Sequence, residues 1–382
     1  MEERAQHGEG EEGHRLTWGH RCHPRGLARE AEVHRRALLM SLAALCGWRG
    51  LSSGGQAEAQ SGGGGALSAA QRIAGWAERA RSLLQRGILP IIDTEATYGG
   101  QIPTDSMVEQ MDRHGVALVC FAPNFNDPAR GSRSSLALAK QHPDRFVPTT
   151  CDGTTGYWFR QQGPFLEVMQ REARSGDFFL LGELEFRHYP SPAQYRARKF
   201  GRDIIIPIDG AWGHAVFQLS SETGLAFQIH YEPEDALLAP LEKMLEAYPG
   251  AKVIWCHAGQ VRYPDRQSAY GPDYLRQTLS RHPNLFCDLA LSEPGSRYPG
   301  SGAIHNTAQF GDGRLRHEWR RLLETHPDRF TIGSDIAPDR YEDFPTKIVQ
   351  SRTLLASLSR DTAARIAFQN AWRLLTRQEW TA

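Results

Sequence analysis

The sequence predicts an α/β protein with a single parallel (β/α)8 TIM barrel, and three features of the chain indicate this fold. Eight short runs of apolar, β-branched and aromatic residues alternate with amphipathic stretches of helical periodicity. The runs are almost continuously hydrophobic, as strands are when helices cover both faces of a parallel sheet. An open, doubly wound sheet is the alternative, but no GxGxxG or GxxxxGKS/T loop follows any run. The predicted strands are 88–97, 117–123, 146–151, 178–187, 225–231, 252–258, 285–291 and 330–336.

Four segments share one pattern where a helix leads into a strand. In each, a His or Tyr at the end of a helical stretch precedes a Pro, which cannot continue a helix, and a strand-like run follows. A His in a last helical turn interacts favourably with the helix dipole, so we exclude His142, His282 and His326 from the candidate site. The segments are "QHPDRFVPTT" (141–150), "AYPGAKVIWC" (247–256), "RHPNLFCDLA" (281–290) and "THPDRFTIGS" (325–334).

Composition divides the chain into three parts. Residues 1–65 are predicted to form a disordered extension, 66–87 a linker helix outside or below the barrel, and 88–382 the barrel domain. The segment 188–224 is longer than an ordinary connection, so we expect an insertion over the barrel mouth after the fourth strand. The helices that close the barrel are expected within 345–377.

The extension contains a pattern typical of an export signal. Arg35 and Arg36 precede the short apolar run "ALLMSLAALCGW", and the small-residue segment "AEA" follows at 57–59. The arginine pair resembles a twin-arginine signal, which predicts cleavage before Gln60 and a periplasmic destination. The alternative is a disordered tail with a chance apolar patch on a cytoplasmic protein.

The charge balance argues against several classes of partner. Lysine plus arginine total 44, as do aspartate plus glutamate, so no net charge attracts nucleic acid or an anionic membrane. No segment approaches the roughly 18 apolar residues of a membrane span. We therefore expect a small-molecule substrate, no nucleic acid and no membrane partner, and the sequence leaves a homo-oligomer open.

The six cysteines do not form a disulfide scaffold. Cys22 and Cys46 lie in the extension, and the others lie in strand-like runs, where buried thiols are usually inert. Strand alternation places Cys256 and Cys287 on the helix-facing side if their polar neighbours face the barrel interior. The remaining two are Cys120 and Cys151.

Polar side chains recur where the predicted strands end, which is where such a barrel builds its active site. Each has an ordinary structural explanation when taken alone; Asp335, for example, could cap the next helix. Together they bring several carboxylates to one mouth, and burying these without a cation is costly. A bound divalent metal is therefore predicted. The residues are Asp93, Glu95, Thr97, Glu183, Glu185, His188, His230, His257, Asp288 and Asp335.

The chain resembles the amidohydrolase superfamily over roughly residues 88–376, and is most similar to the amidohydrolase-related (amidohydrolase 2) branch that includes lactonases and non-oxidative decarboxylases. The family's first strand normally carries an Asp-x-His-x-His pattern whose histidines bind metal, whereas this chain has Glu95 and Thr97 at those positions. The order and spacing of six motifs support the resemblance: "IIDTEAT", "GELEF", "FQIHYE", "VIWCHAG", "GSD" and "FQNAWRLL".

The resemblance implies roles for individual residues. His230 would bind the metal, His257 would be a second ligand or orient water, and Asp335 would be both ligand and general base. We expect one divalent ion, and Zn²⁺ is the first expectation. Mn²⁺ and Mg²⁺ are alternatives, because carboxylates make the donor set harder than a His-rich one. The predicted set is Glu95, His230 and Asp335, assisted by Glu183 or by Glu185.

The expected reaction is metal-dependent hydrolysis of an ester, lactone or amide bond in a small, carboxylate-bearing substrate. The alternatives are a metal-independent lactonase or decarboxylase on the same barrel, suggested by the missing first-strand histidines, and a non-catalytic binding protein. The candidate substrate-binding residues are Arg262, Tyr263, Glu185 and Arg198, with Arg196 and Tyr195 nearby.

Overall fold

The computed structural model describes residues 67–100 and 102–381. The predicted export signal, its arginine pair, and Cys22 and Cys46 lie outside the described residues. Within the described part, no helix is both long enough and apolar enough to cross a membrane.

All eight predicted strands are present, and a ninth short strand lies in the insertion. Among the strands of the described residues, neighbours are parallel throughout the barrel, and only β5 is antiparallel to its partner, β4. The strands are β1 (Ile91–Tyr98), β2 (Val116–Pro123), β3 (Phe146–Pro148), β4 (Leu180–His188), β5 (Ile204–Ile205), β6 (Ala226–Tyr231), β7 (Lys252–Trp255), β8 (Leu285–Asp288) and β9 (Phe330–Thr331).

Single parallel bridges join two ladders into a closed (β/α)8 barrel. The first ladder runs β1-β2-β3 and the second runs β4-β6-β7-β8-β9. A bridge between Thr149 and Leu180 links β3 to β4, and bridges from Asp93 and Ala96 to the chain after β9 complete the circle. The buried Asp93 holds this last seam, because its Oδ1 accepts hydrogen bonds from the backbone N–H groups of Glu95 and Ser334.

Helices surround the barrel as the periodicity predicts. Four of them end immediately before a proline, at the C-caps His142, Tyr248, His282 and His326, and a strand follows each. The helices are α1 (Ala69–Gln85), α2 (Thr104–His114), α3 (Pro128–Gln141), α4 (Gly156–Phe159), α5 (Phe165–Ser175), α6 (Pro192–Arg196), α7 (Ala211–Thr223), α8 (Asp235–Ala247), α9 (Pro272–Arg281), α10 (His317–Thr325), α11 (Phe344–Leu355), α12 (Arg360–Ala364) and α13 (Asn370–Thr376).

The insertion after β4 is shorter than the predicted 188–224. The prediction included α7, which is the ordinary helix between β4 and β6. The inserted part contains α6, a single 3-10 turn and β5, which pairs with the end of β4. Arg187, at that end, forms ion pairs with Asp203 of the insertion and with Glu234 beyond β6. The buried guanidinium thereby ties the insertion to the barrel.

The predicted orientation of Cys256 is wrong. Its buried thiol lies near the carboxylates of Asp288, Glu183 and Glu95 rather than facing the helices, and it donates a weak hydrogen bond to the Ile254 backbone oxygen at 3.9 Å. The regular alternation of β7 stops at Trp255, and His257 has a φ of 63°. This left-handed turn lets consecutive side chains lie near the same interior site.

Candidate metal centre

A cavity of about 720 Å³ opens at the carboxyl ends of the barrel strands, within the usual size range of small-molecule sites. Strand ends, the insertion and the loops after β7, β8 and β9 form its wall. Nine residues singled out from the sequence line it: Thr97, Glu183, Glu185, His188, Arg196, His230, His257, Arg262 and Asp335. Glu95 lies below the wall and is 2% exposed.

The two predicted catalytic residues have unusual backbone conformations. His257 and Asp335 have φ values of 63° and 53°, in the left-handed region that costs non-glycine residues about 1–3 kcal/mol. The His257 N–H donates to the Asp288 carboxylate at 2.7 Å. The Arg340 guanidinium donates to the backbone oxygen of Asp335 at 2.8 and 2.6 Å and also binds its carboxylate. Specific side chains therefore maintain both strained turns.

Three potential metal-binding atoms face one another at the bottom of the cavity. His230 Nδ1 lies 3.0 Å from Glu183 Oε1 and 3.0 Å from His257 Nε2, and His257 Nε2 lies 3.3 Å from the same Glu183 oxygen. β4 and β6 are neighbours, and β7 follows, so adjacent strands supply the three side chains. All three residues are buried.

The other nitrogen of each imidazole faces an acceptor. His230 Nε2 lies 3.3 Å from Glu232 Oε1, and His257 Nδ1 lies 3.1 Å from the backbone oxygen of Ala290. In the neutral tautomers that these acceptors favour, the N–H groups point outward and both lone pairs point at Glu183. Metal-binding histidines usually have their second nitrogen held in this way. Three acceptors this close require a proton or a cation between them.

A proton can meet part of this requirement. Burial alone lowers the pKa of His257, but the hydrogen bond to Glu183 and the nearby charge of Asp335 raise it to about 9. Burial likewise opposes ionisation of Glu183, yet contact with His230 and His257 holds its pKa below the usual value. In the metal-free protein, this group therefore contains a protonated, positively charged His257 beside an ionised, negatively charged Glu183.

A second donor group adjoins the first and shares His257. One donor atom each from Glu95, His257 and Asp335 lies within 4.8 Å of the other two. The buried Glu95 Oε2 has no hydrogen-bond partner and lies 4.0 Å from His257 Nδ1. Burial, followed by the charge of Asp335, raises the pKa of Glu95 well above its usual value. The unpartnered Glu95 oxygen and the Asp335 carboxylate are donors that fit a divalent cation, whereas His257 Nδ1 would join them only by giving up its hydrogen bond to the Ala290 carbonyl.

The structure divides the predicted ligand set between these two groups. Within the residues described, Glu95 and Asp335 belong to one group, whereas His230 belongs to the other with Glu183. The barrel order explains the division: the Asp335 N–H donates to the Glu95 backbone oxygen across the β1–β9 seam, while β6 lies beside β4. His257 belongs to both groups and is therefore more central than its sequence position predicts.

The candidate substrate-binding residues have different environments. Arg262 lines the cavity and forms a buried ion pair with Glu232 at 2.6 Å, and Glu185 lines it while paired with Arg202. Tyr263 packs among tyrosines and Arg198 is exposed; neither is on the cavity wall. The Glu232 partner therefore limits how Arg262 could bind a substrate carboxylate, and the Arg202 partner limits how Glu185 could accept a hydrogen bond from a substrate.

Sequence reasoning missed several charged residues at the site. Glu232 could have been found, because it lies two residues after His230 and strand alternation carries it to the same side. Arg202, Arg340 and Lys347 come from the insertion and from the chain after β9, where no periodic pattern marks a side chain's direction. His305, in the long segment after β8, was not predicted for the same reason.

Comparison with known proteins places the chain in a family. A family model described as amidohydrolase matches residues 166–377, and no curated protein matches. The chain is similar to a probable 2-pyrone-4,6-dicarboxylic acid hydrolase from Acinetobacter baumannii with citric acid bound (13% identity, 75% of this chain, 99% of that chain, TM-score 0.46). It is also similar to an amidohydrolase from Burkholderia multivorans with bound zinc (15% identity, 75% of this chain, 98% of that chain, TM-score 0.44). A third similar structure is dihydroorotase from Saccharomyces cerevisiae (11% identity, 76% of this chain, 84% of that chain, TM-score 0.47). The family match covers more than half of the sequence, and the chain therefore belongs to the amidohydrolase family of hydrolases.

Proposed function

We propose that the protein is a metal-dependent hydrolase that cleaves an ester, lactone or amide bond in a small, carboxylate-bearing substrate. The observation that carries the proposal is the cluster of His230 Nδ1, His257 Nε2 and Glu183 Oε1, in which three acceptors face one another within 3.3 Å. A divalent cation relieves their mutual repulsion. Zn²⁺ is our first expectation for two imidazoles and a carboxylate, with Mn²⁺ or Mg²⁺ as alternatives.

Glu183, His230 and His257 would hold the ion, and Glu95 and Asp335 belong to the adjoining donor group that shares His257. When bound, a divalent ion supplies a Lewis acid that lowers the pKa of water and polarises a carbonyl group. Glu232 and the Ala290 carbonyl keep the two imidazoles in the required tautomers. The protein thus orients both rings before any substrate enters.

Asp335 is the general base in this proposal. Burial acts to raise its pKa, but the charges of Arg340 and His257 hold the pKa below the usual value of an aspartate. The carboxylate is therefore ionised at neutral pH and can accept a proton from the attacking water, then deliver it to the leaving group. Arg340 holds this carboxylate at the cavity wall through its backbone and side-chain contacts.

The charges on the cavity wall support a substrate that bears a carboxylate. Arg196, Arg297 and Lys347 line the cavity, and no carboxylate lies within 4.0 Å of their charged groups in the described part of the chain. Their positive charges are therefore uncompensated by direct ion pairs. An anionic substrate would gain from them without first breaking an internal pair.

Elemental analysis, followed by chelation and reconstitution, tests the proposal. We expect about one divalent ion per chain, loss of ester, lactone or amide hydrolysis on chelation, and recovery when the ion is restored. Asp335→Asn should reduce turnover by at least ~100-fold while retaining metal. His326→Ala is the matched control, because His326 lies at the end of α10, remote from the donor groups. Full turnover after complete metal removal would disprove metal dependence.

One observation favours a second function, a metal-independent lactonase or decarboxylase. A proton on His257 can take the place of a cation beside Glu183, as the raised pKa of His257 indicates. Thr97, which is a poor metal ligand, also lines the cavity at the position of the family's second histidine. Metal-free protein with undiminished activity would support this alternative.

A further inference from the structure

A second cavity of about 490 Å³ adjoins the candidate metal centre. Glu293, Asp343 and Lys347 line both cavities, so these residues form the boundary between them. We call the second cavity the side chamber. Its volume alone lies within the range of small-molecule sites. A ligand that filled both cavities would be considerably larger than one that filled only the main cavity.

One wall of the side chamber is the outer face of α11. Thr346, Val349 and Thr353 lie along it, and Val349 is 52% exposed although it is a large aliphatic residue. The chain after β8 forms the opposite wall through Pro294 and the turn 311–313. The valine, the proline and the threonine methyl groups offer apolar surface for a ligand to cover.

Hydrogen bonds build the inner wall before any ligand binds. Gln309 is fully buried, and its side-chain oxygen accepts hydrogen bonds from Gln350 at 2.9 Å and Asn306 at 3.0 Å. Gln350 also donates to the Ser292 backbone oxygen at 2.9 Å. These side-chain amides join α11 to the chain after β8. A ligand would therefore meet a preformed surface, which reduces the entropy cost of binding.

Lys347 lies at the boundary between the two cavities, and its ammonium group has hydrogen-bond donors in addition to the one that contacts the protein. Its ammonium group donates one hydrogen bond, at 2.7 Å, to the Leu291 backbone oxygen. An ammonium group has three donors, and no carboxylate lies within 4.0 Å of this one among residues 67–100 and 102–381. Its charge reaches Asp335 and His305 on the main-cavity side.

We propose that the side chamber binds a neutral, apolar extension of the substrate while the carboxylate next to that extension binds Lys347. The ligand class is an amphipathic carboxylic acid derivative whose reacting end lies in the main cavity. This inference rests on the proposed function only in taking the main cavity as the substrate cavity. It requires neither metal nor turnover.

Binding of two carboxylates of different chain length, measured by titration calorimetry, tests the inference. Butyrate and octanoate carry the same charged group, and only octanoate is long enough to extend from Lys347 well into the side chamber. We expect octanoate to bind the wild-type protein about tenfold more tightly or better. Val349→Trp should fill the chamber and bring the two affinities within about twofold of each other.

Two further variants make the result specific. Leu84→Trp places the same new ring at an exposed aliphatic position on α1, remote from both cavities, and should keep the wild-type preference. Lys347→Gln should weaken both carboxylates about tenfold. Equal affinity for the two ligands in the wild type, no octanoate binding, or an unchanged preference in Val349→Trp would each overturn the inference. Failure of hydrolysis with the preference intact would refute only the proposed reaction.

Discussion

His257 and Asp335 show how individual residues make the site. Each occupies the left-handed region at the end of a barrel strand, and each is held there by a neighbouring polar group. Such strain persists only where surrounding contacts determine the conformation. The two turns aim an imidazole and a carboxylate into the same cavity, which regular strand geometry would not do.

Glu232 provides a test of the imidazole arrangement. Glu232→Gln should weaken zinc binding about 10–100-fold, because the carboxylate that favours the outward N–H tautomer of His230 is lost. Competition with a chromogenic chelator measures this affinity. Glu234→Gln is the matched control, since Glu234 also pairs with an arginine but contacts Arg187 rather than an imidazole. Equal losses in both variants would show that Glu232 has no specific role.

At the scale of single residues, the sequence predicted which residue types form the site but not how they divide into two donor groups. Parallel strands deliver Glu183, His230 and Asp335 to one mouth, and that much follows from the pattern alone. The central position of His257 could not be predicted, because it depends on a left-handed turn at a non-glycine residue. The Arg340 contact depends on tertiary packing that leaves no periodic signal.

Glu172, remote from the candidate metal centre, tests the electrostatics of the helix layer. Burial raises its pKa to about 7, although Ser132 donates a hydrogen bond to it. An unfolded glutamate titrates near ~4.3, so between that pH and about 7 the folded protein retains a proton that the unfolded chain has lost. The stability contribution of this group is therefore greatest below this window and falls as pH rises through it.

The Glu172→Gln variant lacks that titration. Relative to the wild type, its free energy of unfolding should rise between pH 4.5 and 7 by roughly 1 kcal/mol, after allowance for solvent screening, and then level off. Urea unfolding at several pH values measures the difference. A constant difference across the range would mean that Glu172 ionises normally in the folded protein.

At the scale of elements, the strands do most of the positioning. β4 presents the alternate carboxylates Glu183 and Glu185 to the cavity, β6 adds His230 beside them, and β1 places Glu95 below the cavity wall. The eight strands were predictable because apolar runs and proline junctions are local signals. The insertion was predicted too long because its final helix, α7, has the same helical periodicity as any other barrel helix.

The close packing of α7 gives a prediction about this element. A Cβ at Gly213 would lie 1.7 Å from the Ile208 backbone oxygen, whereas a Cβ at Gly75 in α1 would meet nothing within 4 Å. Gly213→Ala should therefore destabilise the protein by about 3 kcal/mol. Gly75→Ala should stabilise it by about 0.5–1 kcal/mol through helix propensity. Chemical denaturation of the pair measures both, and equal effects would contradict the packing of α7.

At the scale of the whole molecule, the closed barrel concentrates acidic groups. Burial raises the pKa of Asp93 and of Glu185 to about 7 and raises that of Asp288 as well. Each of these carboxylates has one buried oxygen without a hydrogen-bond partner. Because buried carboxylates are costly to ionise without a partner charge, we expect the proposed cation to stabilise this barrel.

Metal binding should consequently stabilise the entire domain. At free zinc about 100 times the dissociation constant, the free energy of unfolding should rise by about 2.7 kcal/mol, and the melting temperature by a few degrees. Thermal unfolding with and without zinc measures the effect. His230→Ala should show little of it, and an equal rise in that variant would indicate binding elsewhere.

The most direct test of the proposed centre is a crystal structure with anomalous diffraction recorded at the zinc absorption edge, from protein reconstituted with zinc. We expect one strong peak about 2.0–2.1 Å from His230 Nδ1 and from His257 Nε2, with Glu183 as a further ligand. No anomalous peak between these three side chains, at a zinc concentration that saturates the protein, would contradict the proposed centre.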